Sequence, residues 1–126
     1  WIKKSKIENL EFDDRFEINS SFEGFKKLGE SIVHNRRVIK YKNKLFWTII
    51  DSFENTNSLK KQIYWHTDYK LLENIDISIT DLKKNKLSKQ IKHGKYSTNY
   101  GEYEESPYYY SESKNGFITT IKIKEN

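Results

Sequence analysis

Ser31-Ile32-Val33-His34-Asn35-Arg36-Arg37-Val38-Ile39-Lys40-Tyr41, then Lys42-Asn43-Lys44, then Leu45-Phe46-Trp47-Thr48-Ile49-Ile50-Asp51, is the stretch that decides the fold. In an extended chain successive side chains point to opposite faces. Ile32, His34, Arg36 and Val38 therefore share one face, and Val33, Asn35, Arg37, Ile39 and Tyr41 share the other. Lys42-Asn43-Lys44 is a short polar turn, and the apolar run after it reads as the returning strand. Its near-continuous apolar character predicts cover on both faces.

The same two-fold period extends outward. From Arg15, the residues Phe16, Ile18, Ser20 and Phe22 alternate with Glu17 and Asn19, and Gly24 and Gly29 then punctuate a loop. Residues 1–12 carry no clean period, and residues 1–14 read as a connecting segment or an incomplete strand. Downstream, residues 55–58 form a polar loop. Ile63 and Trp65 alternate with Tyr64 and His66, and Ile75, Ile77 and Ile79 alternate with Asp76, Ser78 and Thr80. Residues 81–85 turn, and Leu87 to Ile91 leads to His93-Gly94. Residues 96–110 are rich in Tyr, Ser and acids. Phe117, Thr119, Ile121 and Ile123 close the pattern, with Lys122 and Lys124 facing solvent. About eight strands and no convincing helix predict one all-β domain over residues 1–126, an antiparallel β-sandwich or layered β-sheet.

Composition agrees. Among 126 residues 15% are aromatic, Ile is abundant and Ala is absent, a vocabulary that suits a pleated surface better than a helix. Met is also absent and the chain opens at Trp1, so its start is expected to be a cut point, that of a processed chain, of a shortened one or of a domain excised from a longer protein. The net charge of +5 suits an acidic partner such as an anionic polysaccharide, though solvated lysines on strand faces and edges are the favoured reading. Only Arg15, Arg36 and Arg37 supply guanidinium groups, whereas phosphate and base recognition leans on arginine, so nucleic acid is not the expected partner. With no Cys, disulfides and thiolate metal sites are excluded. No apolar run reaches the roughly 20 residues of a membrane span.

Candidate chemistry is sparse. His34, His66 and His93 show no metal-ligand spacing, no cofactor motif is present, and no Ser or Cys occupies a nucleophile elbow. His34 and Arg36 form either a cationic spot for a carboxylate or sulfate, or a tie between strands, and the tie is the favoured reading. Trp65 is either a sugar-stacking ring or core, with core favoured. His66 beside Asp68 is an oriented imidazole at most. The tyrosines of residues 96–110, Tyr100 among them, with Glu102, Glu104 and Glu105, look like a carbohydrate-binding surface or an ordinary loop leading into an exposed strand. The candidate substrate-binding set is thus His34, Arg36, Trp65, His66 and Tyr100, with no catalytic residue.

Several short segments, in order, resemble one family. They are Gly24-Phe25-Lys26-Lys27-Leu28, Val33-His34-Asn35-Arg36-Arg37-Val38, Trp47-Thr48-Ile49-Ile50-Asp51-Ser52-Phe53, Tyr64-Trp65-His66, Tyr96-Ser97-Thr98-Asn99-Tyr100-Gly101-Glu102 and Phe117-Ile118-Thr119-Thr120-Ile121. Their order resembles the C-terminal β-domain of heparinase II/III-like proteins. That resemblance implies a non-catalytic β-domain following an N-terminal α/α-toroid domain in a periplasmic or secreted polysaccharide lyase. Such a parent acts by β-elimination on uronate-containing acidic polysaccharide, with its catalytic Tyr and His outside the segments matched here. A free-standing carbohydrate-binding module is the competing expectation. A third is a protein-interaction domain that binds along an exposed strand edge at residues 117–124.

Overall fold

The computed structural model describes residues 4–24, 32–54, 59–67, 73–96, 100–101 and 104–124. The described residues are all-β: β1 (Lys4–Glu11), β2 (Arg15–Gly24), β3 (Ile32–Tyr41), β4 (Phe46–Glu54), β5 (Lys61–His66), β6 (Ile75–Thr80), β7 (Gln90–Tyr96), β8 (Glu104–Ser113) and β9 (Gly116–Ile123). They form two antiparallel layers, a six-stranded sheet in the order β1-β2-β3-β4-β9-β6 and a three-stranded sheet in the order β5-β8-β7.

The first four strands run as a meander whose register follows the alternation read from the sequence. Ile18 pairs with Val38 and Val38 with Ile49, so one apolar row crosses three strands. Two turns lock this meander at one end, where the Phe12 N–H donates to the Arg15 carbonyl at 2.8 Å and the Lys42 N–H to the Asp14 carbonyl at 2.9 Å.

The chain then alternates between layers. Residues of β5 and β8 pack on the first sheet, and the core is Ile63, Ile77, Ile79, Tyr109 and Phe117, flanked by Phe53, Trp65, Ile75, Leu87 and Ile121. Burying each large apolar side chain contributes about 1.5–3 kcal/mol. The core therefore sits between β4, β9 and β6 on one side and the smaller sheet on the other.

Three differences from the sequence reading have physical causes. The opening residues are no connector: β1 pairs with β2 along its whole length, from Lys4↔Glu23 to Glu11↔Phe16. It lies at the sheet edge beyond the smaller layer, and Ile7 is 73% exposed, so little burial was there to impose a period. In β4 only Ile49 and Asp51 are buried while Phe46, Trp47 and Ile50 are half-buried, so cover on both faces is not achieved. Finally, residues 117–124 offer no free edge, because β9 is paired on one side with β4 and on the other with β6. The expected loops at residues 55–58 and around Gly29 lie outside the described residues.

Two backbone positions matter for the layering. Pro107 lies in the middle strand of the smaller sheet, where a missing N–H would ordinarily break a ladder. It falls one residue past the end of β5, and its carbonyl still accepts the Thr67 N–H at 3.2 Å. Gly116 opens β9 at φ 132°, and a Cβ there would stand 2.3 Å from the Asp51 carbonyl oxygen. Only glycine fits this crossing between sheets.

Candidate functional site

The register sends the sequence-chosen residues to three different places. His34, Arg36 and Trp65 converge between the layers on a residue that sequence reasoning passed over, Asp51, which is 1% exposed. The strand period explains it: Arg36 is the cross-strand partner of Asp51 and His34 that of Phe53, all on the inward face. His34 Nε2 lies 2.8 Å and Arg36 Nε 2.7 Å from Asp51 Oδ1, and Arg36 Nη2 donates to Oδ2 at 3.2 Å. The imidazole stacks on Phe53 at 4.5 Å between centroids and meets the edge of Phe22 at 4.7 Å. The Arg36 guanidinium lies 5.4 Å from the centre of the Trp65 ring, whose Nε1 donates to Thr119 Oγ1 at 3.2 Å. Burial pushes the Asp51 pKa up, but the hydrogen bonds from His34 and Arg36 outweigh it and hold the carboxyl below its ordinary range. His34 and Arg36 thus tie β3 to β4 through Asp51, and Trp65 packs, partly buried, against the core.

His66 goes elsewhere. On β5 and β8 the alternate residues Gln62, Tyr64, His66 and Tyr108, Tyr110, Glu112 turn away from the core, and their register sets Tyr64 beside Tyr110 and His66 beside Tyr108. The result is a continuous aromatic row on the outer face of the smaller sheet. His66 and Tyr108 are 5.1 Å apart, Tyr108 and Tyr64 5.7 Å, and Tyr64 and Tyr110 5.2 Å between ring centroids. His66 is exposed and Tyr64 is 46% exposed, whereas Tyr108 is half-buried and Tyr110 buried at 8%, so the row presents surface chiefly through His66 and Tyr64. Lys92 of β7 places its Nζ 4.1 Å from the centre of the Tyr110 ring.

Polar groups border the row. Tyr64 donates to Gln62 Oε1 at 2.8 Å, Gln62 Nε2 to Glu112 Oε1 at 3.3 Å, and Lys60 pairs with Glu112 at 3.1 Å. The Tyr110 hydroxyl also donates to Glu112 Oε1. That bond, with burial, pushes the Tyr110 pKa up to about 12 and lowers that of Glu112. Tyr110 is thus a neutral, oriented phenol at any physiological pH.

Tyr100 stands apart, fully exposed in a turn beside Gly101 (φ 80°), with residues on either side outside the described set. The structure joins it to neither cluster. Glu102 lies outside the described residues, and of Glu104 and Glu105 only the backbone pairing in β8 is described. The three histidines lie on β3, β5 and β7, and among the described residues no group of three His, Cys, Asp or Glu is placed to hold a metal. Among the described residues no helix is long and apolar enough to cross a membrane.

No family model, no curated protein and no solved structure matches the chain. The likeness to heparinase II/III-like proteins rests on the ordered segments of the sequence alone.

Proposed function

We propose that this β-domain is a non-catalytic binder of acidic polysaccharide, which it holds on the outer face of the smaller sheet. The carrying observation is the row His66-Tyr108-Tyr64-Tyr110 with Lys92 at its end. The exposed Tyr64 and His66 rings offer faces to the C–H face of a sugar ring, backed by the half-buried Tyr108 and the buried Tyr110, and the phenol and amide edges offer donors and acceptors to its hydroxyls. Lys92 supplies positive charge for a uronate or sulfate, in keeping with a net charge of +5, while Lys60 is paired with Glu112. The groups best suited to proton transfer, His34 and Asp51, are spent on each other and on Arg36 between the layers. With the family resemblance added, the domain would hold substrate for a lyase whose chemistry is performed by the rest of its parent protein.

Titration of the chain with heparin, alginate and hyaluronan by calorimetry at low and moderate salt tests this. Saturable binding is expected to at least one of them, weakened but not abolished by salt, since exposed charges are screened and stacking is not. Tyr64→Ala is expected to weaken it at least tenfold, a loss of about 1.4 kcal/mol. Binding to none of the three, or binding indifferent to Tyr64→Ala, overturns the proposal. Release of unsaturated, ultraviolet-absorbing product by this chain alone would overturn its non-catalytic half.

A further inference from the structure

The opposite side of the molecule carries a second surface that the proposed function does not use. On the outer face of the first sheet, β1 to β4 line an open groove of about 600 Å³. Two rungs cross its floor. One runs Lys6-Ser21-Asn35-Ser52 and the other Glu8-Asn19-Arg37-Ile50, each residue paired with the next across the sheet. With strands about 4.8 Å apart, four positions span roughly 14 Å.

The side chains of Asn19, Ser21, Asn35 and Ser52 are half-buried. Among the described residues they form no hydrogen bond with any protein group, although the polar groups around Asp51 and Glu112 are multiply paired. These half-buried groups line an open groove, so their donors and acceptors stay available to a ligand that enters it. Amides and hydroxyls each offer donors and acceptors, as a sugar hydroxyl does. Arg37 is held in place by Glu17, whose Oε1 accepts Arg37 Nη2 at 2.7 Å and Arg15 Nε at 2.9 Å, and Arg37 keeps further N–H donors for the groove. Lys6 faces Glu8, and Arg37 shares the buried Glu17 with Arg15, so the groove is at most weakly basic, unlike the lysine-bearing face of the smaller sheet.

We infer that this groove is a second binding site, for an uncharged, hydroxyl-rich stretch of glycan. It stands independently of the aromatic row, because the two surfaces share no residue and lie on the outer faces of different layers.

Amide chemical-shift mapping of the unmodified chain with mannohexaose, cellohexaose, xylohexaose and maltohexaose tests the inference. Saturable shifts are expected with at least one of them, clustered at residues 6–8, 19–21, 35–37 and 50–52 and unchanged by added salt. Asn19→Ala/Asn35→Ala is expected to weaken that binding at least tenfold, while Tyr64→Ala leaves it unchanged. Absence of saturable shifts with all four sugars overturns the inference. So do shifts that map to Tyr64 and Tyr108, or an affinity that the double substitution does not move. Since acidic polysaccharide is read out through Tyr64 and neutral sugar through Asn19 and Asn35, either site can fail without the other.

Discussion

Asp51 shows how one side chain between layers sets both stability and its pH dependence. Removing it leaves His34 and Arg36 facing a gap. Breaking a buried ion pair costs about 3–5 kcal/mol, and the partial exposure of Arg36 brings the expectation for Asp51→Ala to about 2–4 kcal/mol, measurable by urea unfolding. The folded-state pKa of Asp51 lies below the unfolded one. The stability this pair contributes is therefore complete above the ordinary aspartate value of about 3.9, and is lost as pH falls from there through the depressed folded value. Thermal melts from pH 6 to pH 2 should show a shallower acid decline in Asp51→Asn than in the parent chain. Gly116→Ala should cost at least about 2 kcal/mol, because its Cβ meets a backbone oxygen that cannot step aside. Asp51 itself was not legible as a site residue. In sequence it is the last residue of an apolar strand, and only the pairing with β3 reveals its partners.

At the scale of elements, strands were legible wherever one face is buried. Ile75, Ile77 and Ile79 alternate because Ile77 and Ile79 enter the core, and β6 follows. The first strand was illegible for the converse reason, since Ser5 to Asn9 are exposed on both faces and the pattern had nothing to record. The aromatic row was half legible: Tyr108 and Tyr110 belong to the tyrosine-rich stretch and His66 was singled out, yet their assembly with Tyr64 depends on β5 and β8 being neighbours. A matched pair of substitutions makes the contrast measurable. Ile79→Ala, at 2% exposure, should cost about 2–4 kcal/mol in urea unfolding. Ile7→Thr, on the exposed edge strand, should stay within about 0.5 kcal/mol of the parent. Native-state hydrogen exchange should find the amides of β1 opening well before those of β4 and β9.

For the whole molecule, the unequal width of the layers divides the surface into regions of different character. The smaller sheet covers the β4-β9-β6 side and presents rings and lysines outward, while the wider sheet presents a polar floor that is at most weakly basic. Trp47 and Trp65 lie in different sheets, and the core joins both layers. Their fluorescence should therefore follow one cooperative urea transition, coincident with far-ultraviolet circular dichroism. Two separate transitions would mean that the layers unfold independently.

The position of β9 also bears on how the chain is born. Its two neighbours, β4 and β6, are synthesised first and bond to it rather than to each other. While the ribosome is still adding residues up to 115, the nascent sheet has a vacant lane between β4 and the edge strand β6. The strand that fills it slots in only when residues 116–123 emerge from the exit tunnel. A polypeptide stalled short of that point should thus remain protease-sensitive, however many of the earlier hairpins it has already made.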